Sequence, residues 1–265
     1  MKENFSPLYI ENAKKQVKYT LLYWRMKFSP FILKFRLLLR KLLKRRVYHS
    51  KENPSVTQNL EKSAAHFQKY GWVYVENIFS DDFHKEILKN WPARMYFNPP
   101  YKTVKSYDTG FGWSHGYQAL LSTDHDKQHQ TIYKFFEYLR SKEFEERITT
   151  FVGKGAPFIC YSFALNSTYP GSEVMPHKDA ASETGKLFLN IVFFINGAGG
   201  KDSGNLSLSK DNQLKDIIFE PYNLKNACLI YDSLADFYHG FRPVAKGKFR
   251  WGIISQFCEK SYVEK

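Results

Sequence analysis

From residue 157 to residue 257 the chain is cut into short extended runs with turns between them, and nothing else in the sequence restricts the fold as tightly. Runs at 158–168, 186–196, 205–209, 216–220, 227–231 and 250–257 each have the length and residue content of a strand. Many short strands at close spacing are the pattern of an all-β sandwich or barrel. Within 158–168, Tyr161, Phe163, Leu165 and Ser167 alternate onto one face. The run 186–196 (KLFLNIVFFIN) is a near-continuous apolar strand, and no repeat of 20–50 residues is visible.

The preceding part of the chain reads differently. Residues 61–71 have a helical pattern, 72–76 (WVYVE) a strand pattern, and 81–90 a helix that Ser80 can cap at its N-terminus. Residues 91–130 are aromatic and loop-rich, a length that is uncommon unless the loop is functional or disordered. His125, Asp126 and His129 lie in this stretch, but their setting reads as a solvated helix start rather than a ligand set. A helix over 130–151 follows, amphipathic through Ile132, Phe135, Phe136, Tyr138 and Leu139. A helix–strand–helix entry is common packaging around a β core, so the expected class is α+β with a mainly β core and flanking N-terminal helices.

Charge divides the chain again. The net charge is +13, yet no acidic residue stands between Glu11 and Glu52, and twelve Lys and Arg fall within 14–46. Residues 47–265 carry only +2, which argues against a general nucleic-acid surface on the body of the protein. Within 14–48, Pro30 breaks or kinks the run, and beyond it Phe31, Ile32, Phe35, Leu38, Leu39, Leu42 and Leu43 share one arc opposite Lys34, Arg36, Arg40, Lys41, Lys44 and Arg45. No window reaches the ~18 apolar residues of a membrane span. A basic face opposite a leucine and aromatic face fits a helix lying in an anionic membrane interface, or one packed on its own domain with a solvated basic face. A targeting presequence fits less well because Glu3 and Glu11 precede the basic run, and a secretory signal is disfavoured by the charges that interrupt the apolar residues. Residues 49–60 are polar and read as a linker, giving an N-terminal segment and linker over 1–54 and one β-rich domain over 55–265. Cys160, Cys228 and Cys258 are odd in number and far apart, which suggests a reducing compartment: cytoplasmic, peripheral to the membrane.

The chemistry concentrates in Tyr169–Asp179, YPGSEVMPHKD. A Pro170-Gly171 turn leads into a short extended run in which His177 and Asp179 are two apart and so share a face. The triplet alone is weak evidence in a chain with eight histidines. A second histidine, His239, follows the strand at 227–231, and Arg250 opens the last strand. Two His and one carboxylate form the facial triad of non-heme Fe(II) sites, and a buried Arg needs an anion because an unpaired buried charge is costly. The glycine-rich loop 197–204 lacks GK[ST] and a following helix, so it is not a phosphate cradle.

With YPG-SEVMP-HKD, LFLNIVFFIN, SGNLSL, FEPYNLKNACLIYD and HGFRPVAKGKFRW in this order, residues 158–257 resemble the catalytic core of the Fe(II)/2-oxoglutarate dioxygenases, the prolyl-hydroxylase-like branch above all. The opening GWVYVENIFSDD is similar to that family's entry strand and helix. The resemblance implies a double-stranded β-helix (jelly roll), with Fe(II) held by His177, Asp179 and His239. It implies 2-oxoglutarate held through its distal carboxylate by Arg250, O₂ as the second cosubstrate, and Tyr169 and Asn190 facing the cosubstrate. The implied activity is oxidative decarboxylation of 2-oxoglutarate coupled to hydroxylation of an unactivated C–H bond.

Several positions depart from the family pattern. Eleven residues separate His239 from Arg250, which leaves Lys248 as a rival anion partner on the same strand face. Phe194 stands where some relatives have a tyrosine that assists the arginine. Gln256 stands where nucleic-acid demethylases of the superfamily have a second arginine, which argues against a nucleobase substrate. Asp179 is intact, unlike the small residue of halogenating relatives. Trp113, His115 and Tyr117 could wall the substrate or simply cover the barrel mouth. The basic segment joined to a neutral oxygenase core points to a membrane-associated substrate: a lipid, a glycolipid or an envelope saccharide. A soluble peptidyl-prolyl or protein hydroxylase, and a non-catalytic jelly-roll binding module, are the alternatives.

Overall fold

The central strands are apolar on both faces because each face meets a different layer. The computed structural model describes residues 52–92, 101–102, 113–117, 130–179 and 185–262, with main chain only for 101–102 and 113–117. The basic segment 14–48 and the cluster His125, Asp126, His129 lie outside the described residues. Two short helices, α1 (Asn59–Lys62) and α2 (Ala64–Tyr70), lead into β1 (Trp72–Glu76) and α3 (Asp81–Asn90). Strands β2 (Tyr101–Lys102) and β3 (Trp113–Tyr117) precede α4 (Gln130–Leu139) and α5 (Lys142–Val152). Next come β4 (Phe158–Thr168), β5 (Val174–His177), β6 (Phe188–Gly197), β7 (Ser207–Ser209) and β8 (Ile217–Phe219). The chain ends with β9 (Ala227–Asp232), β10 (Tyr238–Phe241) and β11 (Arg250–Glu259).

These strands form a seven-stranded sheet, β1-β9-β6-β11-β4-β3-β2, and a four-stranded sheet, β5-β10-β7-β8. The pairings are antiparallel throughout. On β6, Ile191, Phe193 and Ile195 pack with residues of the helices, while Val192 and Phe194 pack between the sheets. On β9, Cys228 and Ile230 point to the helices, and Ala227, Leu229 and Tyr231 to the small sheet. Phe79, Phe135 and Phe193 lock the helical layer onto the large sheet, with edge-to-face contacts at 5.2 Å between Phe79 and Phe135 and between Phe135 and Phe193. Such pairs add about 0.5–1.5 kcal/mol each beyond their area burial.

Three sequence expectations are corrected here. The helix expected over 130–151 is two helices, because Ser141 adopts an extended backbone and its Oγ accepts from the Phe144 N–H at 3.2 Å. That cap restarts the helix and outweighs a continuous apolar pattern. The helix expected over 61–71 is likewise two, α1 and α2, joined at Ser63. The long stretch expected as loop contains β2 and β3, and β3 extends the large sheet with His115 opposite Ser167.

Arg147 ties the helical layer to the N-terminal entry, beside a bond from Gln68 Nε2 on α2 to the Phe151 carbonyl on α5. Arg147 on α5 forks onto both carboxylate oxygens of Glu61 at 2.6 and 3.1 Å, and also donates to the Val56 and Thr57 carbonyls and the Tyr138 hydroxyl. Arg147→Met is expected to cost about 2–3 kcal/mol, read as a lowered urea midpoint. A midpoint equal to wild type would show that this network stabilises nothing beyond its own desolvation.

Candidate metal centre

The turn that opens the site forms as the sequence suggests. After β4, the Ser172 N–H donates to the Tyr169 carbonyl at 2.8 Å, and Gly171 takes a positive φ of 85°. The turn moves the chain from the large sheet to β5 in the small one. There β5 pairs with β10 so that His177 and His239 sit directly opposite, ring centroids 4.2 Å apart. The close approach needs Gly240: a Cβ there would lie 2.7 Å from the Val174 carbonyl oxygen and 2.9 Å from Pro176. His239 thus lies within a strand of its own, β10.

Asp179 lies two residues beyond the end of β5, so the strand alternation that pairs it with His177 is not what places it. Its Oδ1 stands 3.6 Å from His239 Nε2 and 4.0 Å from His177 Nε2. One ligand atom from each of the three residues falls within 4.8 Å of the others, and among the described residues no other such cluster occurs. His177 Nδ1 lies 2.7 Å from the Met175 carbonyl oxygen, which fixes Nδ1 as a donor and leaves Nε2 as the nitrogen that faces Asp179. His239 is buried, and burial, then His177, hold its imidazole well below its ordinary pKa and hence neutral. Burial raises the Asp179 carboxyl above its usual range, against the opposing pull of His177 and a hydrogen bond from Asn190. Two imidazoles, that of His239 held neutral, and a carboxylate whose charge is poorly solvated are a donor set that fits a divalent cation.

A polar row on the large sheet faces this cluster. Asn190 lies opposite both Gln256 and Tyr231 across the ladders, with the parity of Val192 and Phe194, which face the small sheet. Asn190 Nδ2 donates to Asp179 Oδ2 at 2.7 Å, and Gln256 Nε2 donates to Asn190 Oδ1 at 3.0 Å. Tyr231 packs its ring 4.7 Å from His239, and burial pushes its hydroxyl well above the ordinary range. Tyr169 is half-buried in the turn before β5. Sequence reasoning missed Tyr231 and the role of Gln256; the face parity of β9 and β11 is the signal that would have pointed to them.

Arg250 is 2% exposed and is held by the Gly204 carbonyl at 2.6 Å and by Asn166 Oδ1 at 2.9 Å, beneath the Phe241 ring at 4.7 Å. Among the described residues its Nε finds no acceptor, and burial lowers its pKa to about 10. A buried cation bonded only to neutral acceptors, with one N–H unmatched, fits a carboxylate ligand. Lys248 is not on the same strand face, because β11 begins at Arg250; its Nζ bonds the Gly199 carbonyl at 3.0 Å. The main chain of Trp113, His115 and Tyr117 lies in β3, beside β4. All three cysteines are free and buried.

No protein-family model and no curated protein matches the sequence. Solved structures match in fold. AviO1 from Streptomyces viridochromogenes Tue57 is 13% identical with a TM-score of 0.52, over 78% of this chain and 98% of that one. A prolyl hydroxylase from Trichoplax adhaerens, in complex with a hypoxia inducible factor oxygen degradation domain peptide fragment, is 11% identical with a TM-score of 0.55, over 78% and 94%. The non-heme alpha-ketoglutarate-dependent epimerase SnoN from nogalamycin biosynthesis is 12% identical with a TM-score of 0.54, over 76% and 80%. Another SnoN structure holds Fe3+, alpha ketoglutarate and nogalamycin RO. At these identities the likeness is one of fold: the chain has the jelly-roll fold of the Fe(II)/2-oxoglutarate oxygenases.

Proposed function

We propose that this chain, built on the fold of the 2-oxoglutarate oxygenases, is itself an Fe(II)- and 2-oxoglutarate-dependent dioxygenase that hydroxylates an unactivated C–H bond. The observation that carries the reading is the pairing of the His177, Asp179, His239 cluster with a buried Arg250 whose Nε is unmatched among the described residues. His177 and His239 would hold the metal through Nε2 and Asp179 through Oδ1, while Arg250 would fork onto the distal carboxylate of 2-oxoglutarate. Bound there, Fe(II) with 2-oxoglutarate and O₂ supplies the coupling of decarboxylation to C–H oxidation. The protein's own contribution is placement and exclusion of water: Phe194 and Phe241 flank the Arg250 guanidinium and keep its field unscreened. A non-catalytic jelly-roll module would have no need of a complete ligand set beside a buried cation.

The substrate reading rests on the N-terminal segment over 1–54. Twelve Lys and Arg within 14–46, six of them opposite a leucine-rich arc beyond Pro30, support an anionic membrane surface as partner and a lipid, glycolipid or envelope saccharide as substrate. No described helix is long and apolar enough to cross a membrane. In vesicle sedimentation, the full chain is expected to bind anionic phosphatidylglycerol vesicles at least about tenfold more tightly than a truncated chain beginning at Ser55, at roughly 1 kcal/mol per basic residue near the surface. Added salt should erase the difference. Equal binding by the two chains would end the membrane reading and favour the second one, a soluble protein hydroxylase, which the likeness to the Trichoplax prolyl hydroxylase supports.

A further inference from the structure

We infer that Gln256 and Asn190 form a directional relay that presents one chosen oxygen of Asp179 to the metal, an inference that rests on reading the triad as a metal centre. Asp179 has left the strand that carries His177, so no ladder register aims its carboxylate. Its two oxygens nevertheless have separate surroundings. Oδ1 faces His239 Nε2 at 3.6 Å and His177 Nε2 at 4.0 Å, whereas Oδ2 accepts from Asn190 Nδ2 at 2.7 Å. An Oδ2 held this way leaves Oδ1 as the ligand atom and keeps the carboxylate from turning both oxygens to the ion.

The direction of the relay follows from the chemistry of its three groups. An ionised carboxylate can only accept, so Asn190 must turn its NH₂ to Asp179. Its carbonyl then faces Gln256, which must answer with an N–H, as the 3.0 Å contact from Gln256 Nε2 provides. Flipping either amide would set two acceptors or two donors against each other. Cross-strand pairing puts Asn190 and Gln256 directly opposite on β6 and β11, and Asn190 is only 2% exposed, so water offers it little substitute. Gln256 thus acts on the metal through two other side chains without touching it: it is a positioning residue.

The test is anaerobic titration of the full-length protein with Mn(II), read by the EPR signal of the free ion, alongside melting temperature. Gln256→Leu and Asn190→Leu are each expected to weaken Mn(II) binding about tenfold or more, the usual cost of losing an outer-shell partner. The double variant should bind no more weakly than Asn190→Leu alone, since Gln256 acts only through Asn190. Gln256→Glu keeps size and polarity but removes the donor. Its added negative charge would by itself draw the cation in, so weakened binding there reports the missing N–H and not lost packing. Gln256→Leu or Gln256→Glu binding within twofold of wild type, or effects of the two Leu variants that multiply, would overturn the relay. Wild-type protein that binds Mn(II) no better than His177→Ala would overturn the metal reading itself.

Discussion

Asp179→Asn is expected to bring 2-oxoglutarate-dependent succinate release to background and to weaken Mn(II) or Fe(II) binding by more than about a hundredfold, while the metal-free protein melts no earlier than wild type. The size of the loss follows from what Asp179 supplies. It is the one anionic member of the cluster, and losing a ligand should cost more than the ten- to hundredfold that outer-shell partners typically cost. The stability half follows from the sign of its shift. Burial, the largest influence, raises the Asp179 carboxyl above its ordinary range despite the opposing His177 and Asn190. A carboxyl raised on folding contributes a stability that is complete below its ordinary pKa and is lost as pH rises through the folded value. Above its ordinary range the carboxyl therefore works against the metal-free fold, and a neutral amide of the same shape removes that cost. Metal should reverse the order: saturation at a hundred times Kd adds about 2.7 kcal/mol to wild type, a stabilisation that Asp179→Asn should lack and that a chelator should remove. Turnover surviving in Asp179→Asn would refute the site assignment. An earlier melt in the metal-free variant would mean that the carboxylate is structural.

How much of this was legible in the sequence depends on how local each cause is. Strands β1 and β4 and helix α3 fall where apolar alternation and the Ser80 cap put them, because those signals sit within a few residues of the element. The restart at Ser141 was hidden because Phe135, Phe136, Phe144 and Ile148 keep the chain apolar across it, and a single hydroxyl decides the break. Strand β10 is four residues long and is specified by its partners β5 and β7, not by its own pattern. His177 and Asp179 were legible as a pair, though for a reason that does not hold: the strand ends before Asp179, and contact with Asn190 helps to place it. Asn190 and Gln256 stand 66 residues apart, and only the β6–β11 register brings them together. The choice between Arg250 and Lys248 was open for a related reason: it depends on where β11 starts, which chain-local patterns locate only to within a residue or two.

That choice yields the sharpest contrast available at this site. Arg250→Met is expected to raise the KM for 2-oxoglutarate by at least about thirtyfold, the equivalent of the ~2 kcal/mol at the low end for a buried charge pair, and to leave Mn(II) binding in the absence of cosubstrate within about threefold. Lys248→Ala should move neither quantity by more than about twofold. The two cations differ in desolvation. Arg250 is buried between Phe194 and Phe241, bonds only neutral acceptors, and keeps its Nε unmatched, so an incoming carboxylate meets a guanidinium that water does not screen. Lys248 is half-buried, and its ammonium is already engaged by the Gly199 carbonyl. Arg250→Lys should fall between, because it keeps the charge but loses the planar fork. A thermal readout separates binding from turnover: 2-oxoglutarate with Mn(II) should raise the melting temperature of wild type and Lys248→Ala beyond the effect of Mn(II) alone, and should not do so for Arg250→Met. Were Lys248→Ala to lose that increment and Arg250→Met to keep it, the cosubstrate would lie toward the 197–204 loop, and the buried guanidinium would be bracing Gly204 and Asn166 across the sheets rather than receiving an anion.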